Sequence, residues 1–296
     1  MSDYVRRPEW LKLSPLDPSI LGPMRRLTCD LKLHTVCESA HCPNRAECFS
    51  RGTAAFMILG NTCTRHCTFC AVKKGRPQDP DPQEPQHIVE AVSTLELSYV
   101  VVTSVTRDDL PDGGASHFAQ TIRAIHDHNR AIAVEVLIPD FGGSRSALEH
   151  VLSAQPAVLN HNLETVPRLY PEVRPQADYR RSLEVLSRGS LLDNNVVIKS
   201  GIMLGLGESQ QEVIELMTDL RQAGCDVLTM GQYLPPSLKH HELIRYISPE
   251  EFVEYQNIGK DMGFVSVFSG PLVRSSFHAA EVYLNSQRIK SRRISV

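Results

Sequence analysis

From about residue 54 onward, short apolar runs alternate with longer stretches in which apolar residues recur at helical spacing. The runs Ala54–Leu59, Tyr99–Thr103, Ile132–Ile138, Ala157–Asn160, Val196–Met203 and Val227–Met230 are rich in Val, Ile and Leu and lack strict polar alternation. Strands buried on both faces by flanking helices have this pattern. Between them, helices are expected near 86–97, 116–128, 145–154, 178–188, 209–223 and 249–262. Ser209 with Glu212, and Ser248 with Glu251, fit the reciprocal cap in which each side chain satisfies the other residue's free backbone N–H. Pro249 takes the first helical position, where a missing N–H costs nothing, and Gly224 stands where a helix should stop.

Six βα units in succession predict an α/β protein with a parallel sheet and right-handed crossovers. A TIM-type barrel, complete or partial, is the first expectation, and a doubly wound open sheet the alternative. In both, ligand-binding groups gather at the carboxyl ends of the strands. The polar clusters of this chain fall there: Thr103–Asp109, Pro139–Gly143, Asn160–Thr165, Gly205–Glu208 and Gly231–Tyr233. The segment before residue 54 lacks the βα pattern and reads as an extension wrapped on the barrel mouth. Arg76–Pro85, with four prolines among acids, reads as a surface connection.

A net charge of −3 gives no reason to expect a nucleic-acid partner. The basic residues Arg288, Lys290, Arg292 and Arg293 read as a solvated end. No apolar stretch approaches the length of a membrane span. The first residues, with Asp3, Glu9 and Trp10, lack the apolar core of an export signal, so a cytoplasmic protein is expected. The cysteines change the picture. Seven of the eight lie between Cys29 and Cys70. A secreted disulfide framework would spread them over a small, loop-rich chain. Crowded into one quarter of a long chain, they point to metal ligation in a reducing compartment.

Two triads stand out. The first is Cys63-Thr-Arg-His-Cys67-Thr-Phe-Cys70, directly after a predicted strand. Three thiolates on one tight loop can hold three irons of a cubane and leave the fourth without a protein ligand. Such an iron can chelate the amino and carboxylate groups of S-adenosylmethionine, and an electron from the cluster then cleaves the sulfonium to a hydrogen-abstracting deoxyadenosyl radical. The competing reading is a zinc site, which needs four ligands and would have to enlist His66. The second triad, Cys37-Glu-Ser-Ala-His-Cys42-Pro-Asn-Arg-Ala-Glu-Cys48, has unequal gaps that are not a common zinc spacing, although His41 could complete such a site. Cys29 and Cys225 read as small buried hydrophobes. Gly113, Gly114, Gly205 and Gly207 are loop glycines without a P-loop lysine, and His240–His241 reads as a loop pair.

The two triads, in this order and at this distance, resemble the lipoyl synthases, a family of radical S-adenosylmethionine enzymes. Matching phrases run through the chain: Gly52–Gly60, Thr103–Leu110, Asp112–Ala115, Asn160–Tyr170, Lys199–Glu208, Thr229–Leu234 and Ser269–Ser276. The resemblance spans about Arg7 to His278. It implies a partial (βα)6 barrel over 54–263, an N-terminal extension over 1–53 with the second triad, and a C-terminal segment over 264–296 closing the mouth. It also implies two 4Fe–4S clusters and S-adenosylmethionine as cofactors. The implied reaction inserts sulfur at carbons six and eight of an octanoyl chain on a lysine of a lipoyl carrier domain. The sulfur comes from the cluster on Cys37, Cys42 and Cys48, whose fourth ligand is a serine of the Arg-Ser-Ser ending, here Ser276 or else Ser275. A turn or cap after Gly270-Pro271 is the plainer role for these serines.

By the same resemblance Thr103 and Ser104 meet the methionine amino group. Asn162, Glu164, Arg174 and Lys199 would contact the ribose or carboxylate, and any of these six could instead be a satisfied structural group. Implied partners are octanoylated carrier domains, both 2-oxoacid dehydrogenase acyltransferase subunits and the glycine-cleavage H protein. Ferredoxin or flavodoxin would donate electrons, and an iron–sulfur carrier would rebuild the second cluster. The basic end would help attract acidic carriers. Three departures stand out: Phe277 where the family has tyrosine, Gln176 where it has glycine, and the stretch Pro236–Glu242. The rivals are another radical enzyme with one extra cluster, such as a biotin-synthase-like sulfur inserter or a maturase, and a zinc-stapled binding protein.

Overall fold

Val and Ile dominate the strand runs, and helices cover their outer face. The computed structural model describes residues 7–12, 18–50 and 55–294. Gly52–Ala54, the 53/54 boundary, Asp3 and the side chains of Arg288, Lys290, Arg292 and Arg293 lie outside the described residues. The strands are β1 (His34–Thr35), β2 (Ala55–Ile58), β3 (Thr62–Cys63), β4 (Lys73–Lys74), β5 (Tyr99–Ser104), β6 (Ala133–Leu137), β7 (Val158–Asn160), β8 (Val197–Leu204), β9 (Val227–Gln232) and β10 (Ser266–Gly270). One sheet runs β1-β2-β5-β6-β7-β8-β9-β10, and β3 pairs with β4 beside it. Every pairing from β2 to β10 is parallel; β1 alone is antiparallel, on β2. Among the described residues no pairing joins β10 back to β2, so the α/β sheet is a partial, open barrel.

All six expected strands are present, and β10 adds a seventh parallel one. Its residues Ser266-Val-Phe-Ser-Gly270 include two serines and a glycine, too little aliphatic bulk to stand out as a buried run. The six expected helices form at Glu84–Thr94, Ala115–His128, Arg145–Ser153, Tyr179–Leu192, Gln210–Gln222 and Pro249–Asp261. Both reciprocal serine–glutamate caps are made. Gly224, at φ +80°, adopts the left-handed stop that glycine tolerates best.

The C-terminal segment does two things. Its turn, Pro271–His278, reaches the mouth at the carboxyl end of β10. The helix Ala279–Ile294 then descends toward the other end of the sheet. There Val282 packs against Val158, Val197 and Val227, the first residues of β7, β8 and β9. The Tyr283 ring lies 5.5 Å from that of Tyr99, the first residue of β5. Burying one such valine contributes roughly 1.5–3 kcal/mol. The helix therefore stops the amino end of the barrel and leaves the carboxyl end open. Among the described residues no helix is long and apolar enough to cross a membrane.

Candidate active site

A cavity of about 570 Å³ opens at the carboxyl ends of the strands, and all six triad cysteines line it. Thr103, Ser104, Asn162, Glu164, Arg174, Ser275 and Ser276 line it too. Among the described residues no three His, Cys, Asp or Glu side chains converge as a single metal ion would require. A cluster of several irons has no such need, because each ligand meets a different metal atom.

The loop from Cys63 to Cys70 leaves β3 and returns through β4. Its backbone is tied on both sides: Thr64 N–H donates to Thr106 O at 3.1 Å and Thr68 N–H to Val173 O at 3.0 Å. The N–H groups of Arg65 and Thr106 point at Cys63 Sγ, at 3.4 and 3.3 Å. Those donors suit a thiolate carrying negative charge. Beneath the loop Arg65, almost fully buried, forks onto Asp108 at 2.8 Å and Asp140 at 2.6 Å. Burial alone would raise the Asp140 carboxyl, but the Arg65 guanidinium holds it below the usual range. The predicted polar clusters after β5 and β6 contained both aspartates. Arg65, an obligate cation between two candidate ligands, was the available signal for the pair, because a cation is buried only when matched.

The segment Cys37–Cys48 is built differently. Antiparallel pairing of β1 with β2 places the short helix Val36–Ser39 against the sheet, and Thr35 caps it by accepting from Glu38 N–H at 3.3 Å. Cys42 N–H donates to Cys37 O, and Cys48 N–H to Asn44 O. Cys37 and Phe49 pack with Ala55, Val101 and Ala279, and Cys42 and Cys48 lie against that cluster. Burial pushes the Cys37 and Cys70 thiols up to about 12 and raises that of Cys67. These three are protonated at neutral pH, so metal uptake must release their protons.

The serine-bearing turn crosses the end of β9. A Cβ at Gly231 would collide with Val273 O, which is why glycine stands there. Asn162 Nδ2 donates to Glu164 Oε1 at 3.0 Å and to Ser275 Oγ at 3.4 Å. Burial pushes the Glu164 carboxyl up, against the pull of Arg174. Arg174 donates to the carbonyls of Asn162 and Leu163 and lies over the Tyr170 ring, 5.4 Å from its centroid. Thr103 Oγ1 donates to Leu137 O at 3.0 Å.

Four buried polar atoms around the cavity have no protein partner: Ser104 Oγ, His161 Nε2, Asn162 Oδ1 and Arg174 Nε. They include acceptors and a donor, as a ligand carrying both hydroxyl and carboxylate groups requires. His161 was missed by sequence reasoning. Its Nδ1 lies 2.8 Å from Ile138 O, which leaves Nε2 as a bare acceptor, and burial pushes its pKa down to about 4. Such a histidine is neutral throughout the physiological range.

Lys199 takes the second of the two roles expected for it, that of a satisfied structural group. Nζ sits 2.9 and 3.0 Å from the carboxylate oxygens of Glu135, with both side chains buried. Tyr99 and Asn160 donate to the same carboxylate. Lys199 lies two residues below Gly201 on β8, beneath the cavity floor, and does not line the cavity. His240 and His241 are loop residues, as expected; Tyr233 Oη donates to His241 O, and His241 N–H to Thr68 O. Cys225 is buried as expected, whereas Cys29 is exposed.

Residues 57–220 match the model of the radical SAM superfamily. The lipoyl synthase of Caldanaerobacter subterraneus subsp. tengcongensis is 56% identical over 275 residues, 93% of this chain and 96% of that protein. The lipoyl synthase of Aquifex aeolicus is 55% identical over 268 residues, 90% of this chain and 97% of that one. Among solved structures, methylornithine synthase superposes with a TM-score of 0.59 at 13% identity, covering 91% of this chain and 82% of that one. That likeness concerns the fold alone.

Proposed function

Because the chain belongs to the lipoyl synthase family of the radical SAM superfamily, we propose that its cavity inserts two sulfur atoms into an octanoyl chain carried on a lysine of a lipoyl carrier domain. Cys63, Cys67 and Cys70 hold the first 4Fe–4S cluster. Cys37, Cys42, Cys48 and Ser276 hold the second. When bound, the first cluster supplies the electron that breaks the sulfonium of S-adenosylmethionine, and the second supplies the sulfur. The observation that supports this reading best is the meeting of both triads and the serine turn on one cavity.

The chain's own residues divide the remaining work. The N–H groups of Arg65 and Thr106 steady the Cys63 sulfur. Thr103, Ser104, Asn162, Glu164 and Arg174, joined by His161, orient S-adenosylmethionine through the polar atoms that face the cavity. Lys199 remains in its ion pair with Glu135 and takes no part in binding. The cavity's largely apolar lining, with Met57, Val105, Ile202 and Met203, suits an alkyl chain and keeps water from the reacting carbon. The enzyme works in a reducing compartment such as the cytoplasm, where all eight cysteines stay free of disulfides. Its partners are the acyltransferase and glycine-cleavage carriers, a ferredoxin or flavodoxin, and an iron–sulfur carrier.

The test is an anaerobic assay with reductant, S-adenosylmethionine and an octanoyl-lysine peptide. Thiolated peptide is the expected product, from protein carrying about eight irons per chain. Deoxyadenosine without any C–S bond would keep the superfamily and reject lipoyl synthesis, and zinc without labile sulfide would reject both.

A further inference from the structure

We propose that Asn44 and His278 are positioning residues that latch the serine-bearing turn onto the second cysteine triad and so set how readily Ser276 lets go of its iron. The proposal rests on the reading just given, in which Ser276 is a ligand of a cluster that is dismantled. The turn Pro271–His278 and the segment Cys37–Cys48 belong to different parts of the fold. No strand pairing joins them among the described residues. Their register depends on a few side chains.

Asn44, buried between Cys42 and Cys48, donates from Nδ2 to Leu272 O at 2.7 Å, across a sequence separation of 228 residues. The Asn44 carbonyl accepts from Cys48 N–H at 2.9 Å, so one residue holds a ligand cysteine on one side and the turn on the other. At the far end of the turn, His278 Nε2 lies 3.2 Å from Glu47 Oε1, and Glu47 directly precedes Cys48. His278 Nδ1 lies 3.1 Å from Glu281 Oε2 on the C-terminal helix. His278 stands at φ +53°, where a side chain is tolerated only if its surroundings hold it. The two ties bracket Arg274, Ser275 and Ser276; one ends on Glu47, next to Cys48, and the other on Asn44, whose carbonyl accepts from Cys48 N–H. A ligand carried this way can leave its iron by a swing of the turn while the three cysteines stay in place. Groups that orient a metal ligand from outside tune its affinity by about 10- to 100-fold.

The experiment uses the full chain with Cys63, Cys67 and Cys70 replaced by alanine, so that any iron it holds is at the second site. Into this parent go Asn44→Ala, His278→Ala and the conservative His278→Gln. Hydrogen exchange is measured on the metal-free chains, and anaerobic release of ferrous iron to a chelator is followed on reconstituted ones. Parallel-mode electron paramagnetic resonance reports the integer-spin three-iron form that is left when no electron is removed. Loss of one hydrogen bond predicts about tenfold faster exchange over 272–278. The first iron should be released faster by a similar factor, with the three-iron signal appearing, and His278→Gln should recover most of the wild-type behaviour. Exchange and release at the parent's rates would overturn the latch. So would exchange that rises equally at 63–70, because the variants would then be loosened as a whole. A parent that binds no iron would instead sink the two-cluster reading, while the exchange measurement still decides whether the turn is latched.

Discussion

The two cysteine triads face the same cavity but are anchored by different means. Cys63, Cys67 and Cys70 lie within eight residues on a loop closed by paired strands, braced by Arg65 on two aspartates, with backbone N–H groups aimed at Cys63. Cys37, Cys42 and Cys48 occupy short helices and turns, and the serine opposite them comes from the other end of the chain. A site that must persist through every turnover is written into one braced loop. The second site is shared between segments from opposite ends of the chain, which on the proposed reading suits a cluster that must come apart. On the same reading, the oxygen ligand sits on a turn that meets the second triad through side-chain ties and not through strand pairing.

The largest effect that would sharpen this contrast is Cys67→Ala. Loss of a cluster ligand should lower deoxyadenosine formation by more than about a thousandfold, on the order of 4 kcal/mol, measured under anaerobic single-turnover conditions. Residual cleavage near the wild-type rate would break the assignment of the loop.

Next comes Lys199→Met, which leaves the buried Glu135 carboxylate with its hydrogen bonds from Tyr99 and Asn160 but without its counter-charge. Breaking a buried pair costs roughly 3–5 kcal/mol, which denaturant unfolding would reveal. S-adenosylmethionine affinity of the protein that remains folded should be unchanged. A large loss of that affinity without loss of stability would return Lys199 to the cavity.

Asp140→Asn should loosen the brace under the first triad by about 1–3 kcal/mol. Because Asp140 ionises below its ordinary range, its contribution is fully present above its unfolded pKa of about 3.9. It is lost as pH falls through the lower folded value. Stability curves of wild type and variant should therefore differ at neutral pH and converge in acid. Convergence already near neutrality would contradict the ion-pair brace.

His161→Gln should weaken S-adenosylmethionine binding by only about tenfold, the effect of one hydrogen bond. The loss should stay constant between neutrality and mild acid, because the wild-type imidazole titrates near 4. Titration calorimetry across that range checks it.

Much of this was readable from the chain. Six strands and six helices followed from Val- and Ile-rich runs and capped amphipathic stretches, because burial on both faces of a parallel sheet leaves a strong imprint. Cys63 to Cys70 was legible because its three thiols are adjacent in sequence. That Ser275 and Ser276 share a cavity with the second triad could be expected only through resemblance, since no local pattern joins a serine near one end of a chain to cysteines near the other. Which of its two expected roles Lys199 takes was not legible, for a physical reason. Strand parity shows that it points inward, but only depth along β8 shows that it lies below the cavity and meets Glu135. β10 escaped notice because its serines and glycine dilute the apolar signal, and His161 because a buried imidazole after a strand looks like any satisfied core histidine.

The central claim is that the two triads do separable work, and one anaerobic measurement tests it. Cys42→Ala is incubated with reductant, S-adenosylmethionine and the octanoyl-lysine peptide, and deoxyadenosine and thiolated peptide are quantified together. Deoxyadenosine should still form while C–S bond formation disappears. Equal loss of both products, or retention of both, would contradict the account.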